Sequence, residues 1–146
     1  MIMLKLISRL PFWVLYRFSD LIYLLLRYVI RYRERIILQN LQTSFPEKTL
    51  LEIKHIKNQF YRHLGDIVVE TLKTLTLPES ELNRRVRLVN PEVINQYYDQ
   101  GQSVIAATAH QGNWEWMLVS CSSQLSFHVD AVYQKLNSSF FNQLMH

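Results

Sequence analysis

From Leu10 to Ile30 the chain is apolar at nearly every position, and only Arg17, Asp20 and Arg27 interrupt the run with charge. Its 21 residues could cross a bilayer as one helix. The twelve Leu, Ile, Val and Phe side chains contribute roughly −4 to −7 kcal/mol to insertion, and each central charge opposes it by about 2.5–3.5 kcal/mol. Arg27 lies near one end and can snorkel, so the balance is close to zero. On a continuous helix Asp20, Arg27 and Arg31 would fall within about 40° of one another and leave a broad apolar face. That pattern predicts a helix lying in the membrane interface, with Arg31, Arg33 and Arg35 beside anionic headgroups. Residues 1–36 are therefore assigned to a membrane-associated, basic, amphipathic helix. A helix buried against the rest of the protein is the alternative, and a cleaved signal peptide fits poorly because charges pepper the apolar stretch.

Beyond Phe45-Pro46 the spacing changes. Thr49 and Glu52 match a capping box, and Ile53, Ile56, Phe60, Leu64, Ile67 and Val68 recur at helical intervals, predicting one amphipathic helix to about Leu75. His63 and Asp66 on this helix read as a solvated pair. Pro78 ends that element, Glu79 to Arg85 is a short polar helix, and Val86 to Val89 a short strand. Asn90-Pro91 signals another helix start, with Gly101 near its end. Ser103 to Ala109 is uncharged and mostly apolar, as in a strand covered on both faces of a parallel sheet. The chain then breaks at His110-Gln111-Gly112 and restarts as a helix from Asn113. Phe127, Val129, Ala131 and Tyr133 alternate as in a half-buried strand to Gln134, with a helix expected from Ser138. Alternation of this kind predicts an α/β fold with a sheet of parallel character.

Composition narrows the class. At 146 residues and 49% hydrophobic content the chain has one domain's worth of length. The formal net charge of +4 originates entirely in residues 1–40, which hold seven basic and two acidic side chains. Basic residues between Tyr28 and Tyr32 would also suit nucleic acid, but their apolar neighbours favour a membrane surface, so no nucleic-acid partner is expected. The single cysteine, Cys121, excludes an internal disulfide and reads as a small buried residue. There is no CxxC pair, zinc-ligand spacing, P-loop or dinucleotide fingerprint, and no metal or organic cofactor is expected.

The chemistry concentrates where the apolar run of Ser103 to Ala109 gives way to a helix, the place where open α/β sheets hold ligands. His110 and Glu115 would diverge by roughly 140° on a regular helix. They can meet if His110 sits on the loop and Glu115 in the first helical turn. Gly112 permits the tight turn, and Asn113 as N-cap puts Glu115 at the second helical position, where the helix dipole favours a carboxylate. Glu115 could then orient His110 as a general base. The spare N–H groups of Gly112, Asn113 and Trp114 could receive an oxyanion. The five-residue spacing alone is unspecific, and a lone histidine at a strand end is more often structural. The glycine, asparagine and tryptophan between the partners supply what specificity there is.

The stretch His110-Gln111-Gly112-Asn113-Trp114-Glu115 resembles the H-x-G-N-W-E signature of the bacterial lipid A biosynthesis acyltransferases, the lauroyl/myristoyl transferases. These belong to the wider glycerolipid acyltransferases with their His-x4-Asp/Glu motif. Arg33 to Pro46 resembles the family's R-x(n)-N-L-x-x-x-F-P segment, Phe60 to Thr71 its F-Y-R-H-L-G-x-x-x-x-E stretch, and Ala131-Val132-Tyr133 with Asn137 its following strand. The resemblance implies that residues 37–146 are the N-terminal part of an acyltransferase domain whose α/β sheet is incomplete at the C-terminus. It implies transfer of a fatty acyl chain from acyl carrier protein to a hydroxyl of a lipid A precursor, at the cytoplasmic face of the inner membrane. His110 and Glu115 would then be catalytic, with Gly112, Asn113, Trp114 and Lys135 binding substrate. The family often has Tyr-Arg-Pro where this chain has Tyr133-Gln134-Lys135, so Lys135 would substitute for the missing arginine as a point charge, and the family's later arginine-bearing block would lie beyond His146. A portion of a longer enzyme is therefore expected. An acyltransferase acting on another glycolipid or a lysophospholipid, and an inactive membrane-bound fragment, remain as alternatives.

Overall fold

The computed structural model describes residues 2–132. Among these there are seven α-helices and no strand: α1 (Ile2–Ser8), α2 (Phe12–Leu24), α3 (Glu34–Ser44), α4 (Leu50–Thr74), α5 (Glu79–Arg85), α6 (Glu92–Asp99) and α7 (Trp114–Gln124), with a π-helical turn at Leu25–Val29 after α2. The long α4 is the axis of the molecule. It begins on the expected capping box: the Thr49 hydroxyl accepts the Glu52 N–H, and the Glu52 carboxylate accepts the Thr49 N–H at 2.8 Å. α2 lies along it, α3 and α1 join it from the same chain half, and α7 reaches it from the other.

The buried stripe of α4 runs Ile53, Lys57, Tyr61, Gly65, Val69 and Lys73, with Ile67 beside it. Phe60 and Val68, expected inside, are exposed. Each polar member of the stripe has a reason. Lys57 forms an ion pair with Glu34, and Arg27 joins the same carboxylate at 3.2 Å. Lys73 donates to the free carbonyls of Ser8 and Leu10 at the end of α1, at 2.8 and 2.9 Å. Gly65 is small because a Cβ there would stand 2.9 Å from the Ser19 carbonyl of α2. Asp66, expected to pair with His63 in solvent, instead accepts from the Ser19 hydroxyl across the same contact. Tyr61 is fully buried, and its hydroxyl donates to the Tyr32 carbonyl at 2.8 Å.

The N-terminal expectation needs correction. Residues 1–36 are not one helix, because Pro11 stands extended between α1 and α2, where its ring cannot continue an α-helix. A π turn follows, and Arg31 and Arg33 adopt left-handed conformations (φ 52° and 48°). Asp20, Arg27 and Arg31 therefore do not line one face. Asp20 lies 3.7 Å from Arg17, while Arg27 turns inward to Asn58 and Glu34. No helix among the described residues is long and apolar enough to cross a membrane.

The predicted α/β sheet is absent from the described residues, where the fold is all-helical. Ser103 to Ala109 is irregular, without a strand partner among the described residues, and exposed, with Val104 at 44% and Ile105 at 96%. Val86 to Val89 and the described part of the strand expected from Phe127 are likewise irregular. A strand is stable only when a neighbour takes up its N–H and C=O groups, and among the described residues no backbone hydrogen bond joins any of these three segments to another. Phe127 instead stacks on Tyr98 of α6 at 4.8 Å. The helix expected from Ser138 lies outside the described residues.

Candidate active site

The His110 loop and the start of α7 take their local shape from two residues. Gly112 has φ +59°, the left-handed conformation that favours glycine. Asn113 caps α7: its Oδ1 accepts the Trp116 N–H at 3.0 Å. That leaves Trp114 and Glu115 as the first two helical residues, as the sequence predicts. The N–H groups of Gly112, Asn113 and Trp114 donate to no group among the described residues.

Side chains of α4 hold this junction from below. Glu70 is used three times. Its Oε2 accepts from Asn113 Nδ2 at 2.8 Å, its Oε1 accepts from the Tyr16 hydroxyl of α2 at 2.8 Å, and its carbonyl accepts the Trp116 indole N–H at 3.2 Å. The indole also donates to Thr74 Oγ1 at 2.8 Å. One residue further along α4, the Thr71 hydroxyl donates to Glu115 Oε2 at 2.7 Å. Trp116 is 4% exposed and meets the edge of Phe12 at 6.1 Å. Burial, together with the hydrogen bond to Glu70, pushes the Tyr16 phenol up to about 12.

The far side of α7 is fastened to α5 and the segment after it. The Ser120 hydroxyl lies 2.9 Å from both Asn83 Oδ1 and the Val86 carbonyl, and Gln124 Nε2 donates to that carbonyl at 2.8 Å. Cys121 lies on this helix, partly covered, and burial pushes its thiol up, away from the thiolate form.

His110 is exposed, and its ring tilts against Trp114 with centroids 4.8 Å apart. It and Glu115 occupy the same junction, but no hydrogen bond joins them: the carboxylate is turned to Thr71 and the imidazole to the indole. Both polar ends of the Asn113 side chain are taken up within the protein, so its backbone N–H is what it can offer a ligand. Lys135 lies outside the described residues. Glu70 is the glutamate that closes the F-Y-R-H-L-G-x-x-x-x-E stretch of Phe60 to Thr71. Sequence reasoning missed Tyr16, Thr71 and Thr74, for which no local pattern exists, since each meets its partner across more than 40 residues of chain.

A polar, solvent-open histidine loop ahead of a capped helix, with a carboxylate in its first turn, has the parts of a general acid–base centre. The profile of the bacterial lipid A biosynthesis acyltransferases matches residues 1–146. The protein belongs to that family and is an acyltransferase. Among curated proteins and solved structures none matches it.

Proposed function

We propose that the protein moves a fatty acyl chain from an acyl carrier protein thioester to a hydroxyl of a lipid A precursor, with His110 as general base. His110 takes the proton of the acceptor hydroxyl as its oxygen attacks the thioester carbonyl. The carbonyl becomes an oxyanion, which the N–H groups of Gly112, Asn113 and Trp114 receive. Collapse expels the carrier thiolate, and the imidazolium returns the proton to it. Glu115 steadies the imidazolium, which requires the His110 loop to close by a small movement onto the carboxylate. Catalytic hydrogen bonds are often long before substrate binds. The observation that carries the reading is Glu115 fixed by Thr71 in the first turn of α7, five residues from an open imidazole, in a chain of this family.

The N-terminal helices support a lipid acceptor. α1 and α2 expose Ile2, Met3, Leu6, Trp13, Phe18 and Leu21, with Trp13 71% exposed, beside Arg9 and Arg17. Such a face suits an interfacial position on the cytoplasmic side of the inner membrane, where it would gather an anionic amphiphile.

The test is turnover of a carrier-protein thioester with a lipid A-type acceptor, read by mass spectrometry of the acylated product. His110→Ala should lower the rate by about 10²–10⁴-fold without loss of folded protein. Near-normal turnover by that variant would remove the base assignment.

A further inference from the structure

Asn113 can satisfy both its neighbours in one orientation only. Its oxygen must face the Trp116 N–H and its nitrogen must face the Glu70 carboxylate. The Glu70 carboxylate in turn touches α2 through Tyr16 and the loop through Asn113, while the main-chain carbonyl of the same residue accepts from Trp116 of α7. The loop between Gly112 and α7 has no other side-chain hydrogen bond to α4. Glu115 is fixed separately, by Thr71. The two ties are one helical step apart on α4, and together they set both where α7 begins and where its first carboxylate points.

We propose that Glu70 is a positioning residue for acyl transfer: through Asn113 it fixes the His110–Gly112 loop and the oxyanion-binding N–H groups relative to Glu115. The proposal rests on the acyltransferase reading of the His110 site. Glu70 touches neither substrate nor the reacting atoms. Its carboxylate is a rigid acceptor whose position is set by α4 and by the Tyr16 hydroxyl. Misplacement of a catalytic group by about 1 Å can cost about 10²-fold in rate, so the tie would be felt in turnover more than in binding.

An exchange of the two side chains tests this. Glu70→Gln can keep the bond from Asn113 by turning its amide nitrogen to the Tyr16 hydroxyl, which then accepts, so it is the milder of the two changes. Asn113→Asp keeps a good N-cap but sets two carboxylates against each other. The double variant Glu70→Gln/Asn113→Asp restores donor to acceptor with the charge moved across the contact, and keeps the bonds to Tyr16 and the Trp116 N–H. Asn113→Asp is expected to lower kcat by about 10-fold to 10²-fold and Glu70→Gln by less, with the acceptor KM within about 2-fold and the folded fraction unchanged well below the melting temperature. The double variant is expected to recover kcat to within about 3-fold of the parent, the signature of two residues acting as a pair. Full activity in the Asn113→Asp variant, or a double variant no better than Asn113→Asp alone, would overturn the proposal. Failure of the underlying reading looks different, because His110→Ala would then turn over normally. A purely structural role for Glu70 would show as lower melting temperature and lower active fraction with kcat per folded molecule unchanged.

Discussion

The two flanks of the His110 loop differ sharply. On the C-terminal side α7 is fastened at its first turn by Glu70, Thr71 and Thr74, and further along by Asn83 and the Val86 carbonyl. On the N-terminal side Ser103 to Ala109 is irregular and exposed, and its backbone hydrogen bonding among the described residues is confined to the local contact from the Gln111 N–H to the Ala109 carbonyl. The helix carrying Glu115 is held on a rigid strut, and the segment carrying His110 is held only through the helix that follows it. A strut can act alone because an α-helix satisfies its own backbone, whereas an extended segment needs neighbours. The contrast places the precision of the site in α4.

The largest effect that would break this contrast is loss of Trp116, whose indole spans α4 and Phe12. Trp116→Ala should destabilise the fold by about 3–5 kcal/mol in urea unfolding. A loss below about 1 kcal/mol would mean that α7 is not packed on α4 as described. Next comes Gly65→Ala, whose Cβ meets backbone of α2. It should cost about 1–3 kcal/mol by overpacking, measured in the same way. Thr49→Ala removes the cap of α4 and should cost about 1 kcal/mol. The smallest effect belongs to the other flank: Ile105→Thr should stay within about ±0.5 kcal/mol, and a larger loss would reveal that the segment is covered.

Acid sharpens the picture of α4. The hydrogen-bonded Lys57 ammonium holds the Glu34 carboxyl below the ordinary carboxylate range. A carboxyl depressed on folding stabilises the protein above its unfolded pKa of about 4.3, and that stabilisation is lost as pH falls through the lower folded value. The drop in urea midpoint below about pH 4.5 should therefore be smaller in Glu34→Gln than in the parent.

How much of this was legible in the sequence depended on range. The capping box at Thr49, the helix Glu79–Arg85, the Asn113 cap and the place of Glu115 in the first turn all follow from residues three or four apart, and the sequence read them correctly. The helix after Asn90-Pro91 starts one residue later than expected, because Asn90 takes a left-handed conformation (φ 58°) and Pro91 becomes the cap. The inner face of α4 was misread because half of its stripe is polar or glycine, and hydrophobic spacing cannot find Lys57, Gly65 or Lys73. The α/β sheet failed for a related reason: an apolar run specifies a buried strand only if partner strands lie beside it, and pairing is a property of the whole fold. Pro11 was in plain view, and the weight of hydrophobic residues around it hid a helix break.

The most direct measurement is hydrogen exchange resolved by residue. The indole N–H of Trp116 and the amides from Met117 to Cys121 in α7 should exchange slowly, near the rate set by global unfolding, while the amides of residues 103–109 exchange close to the rate of an unstructured chain. Equal protection on the two sides of His110, in either direction, would contradict the account.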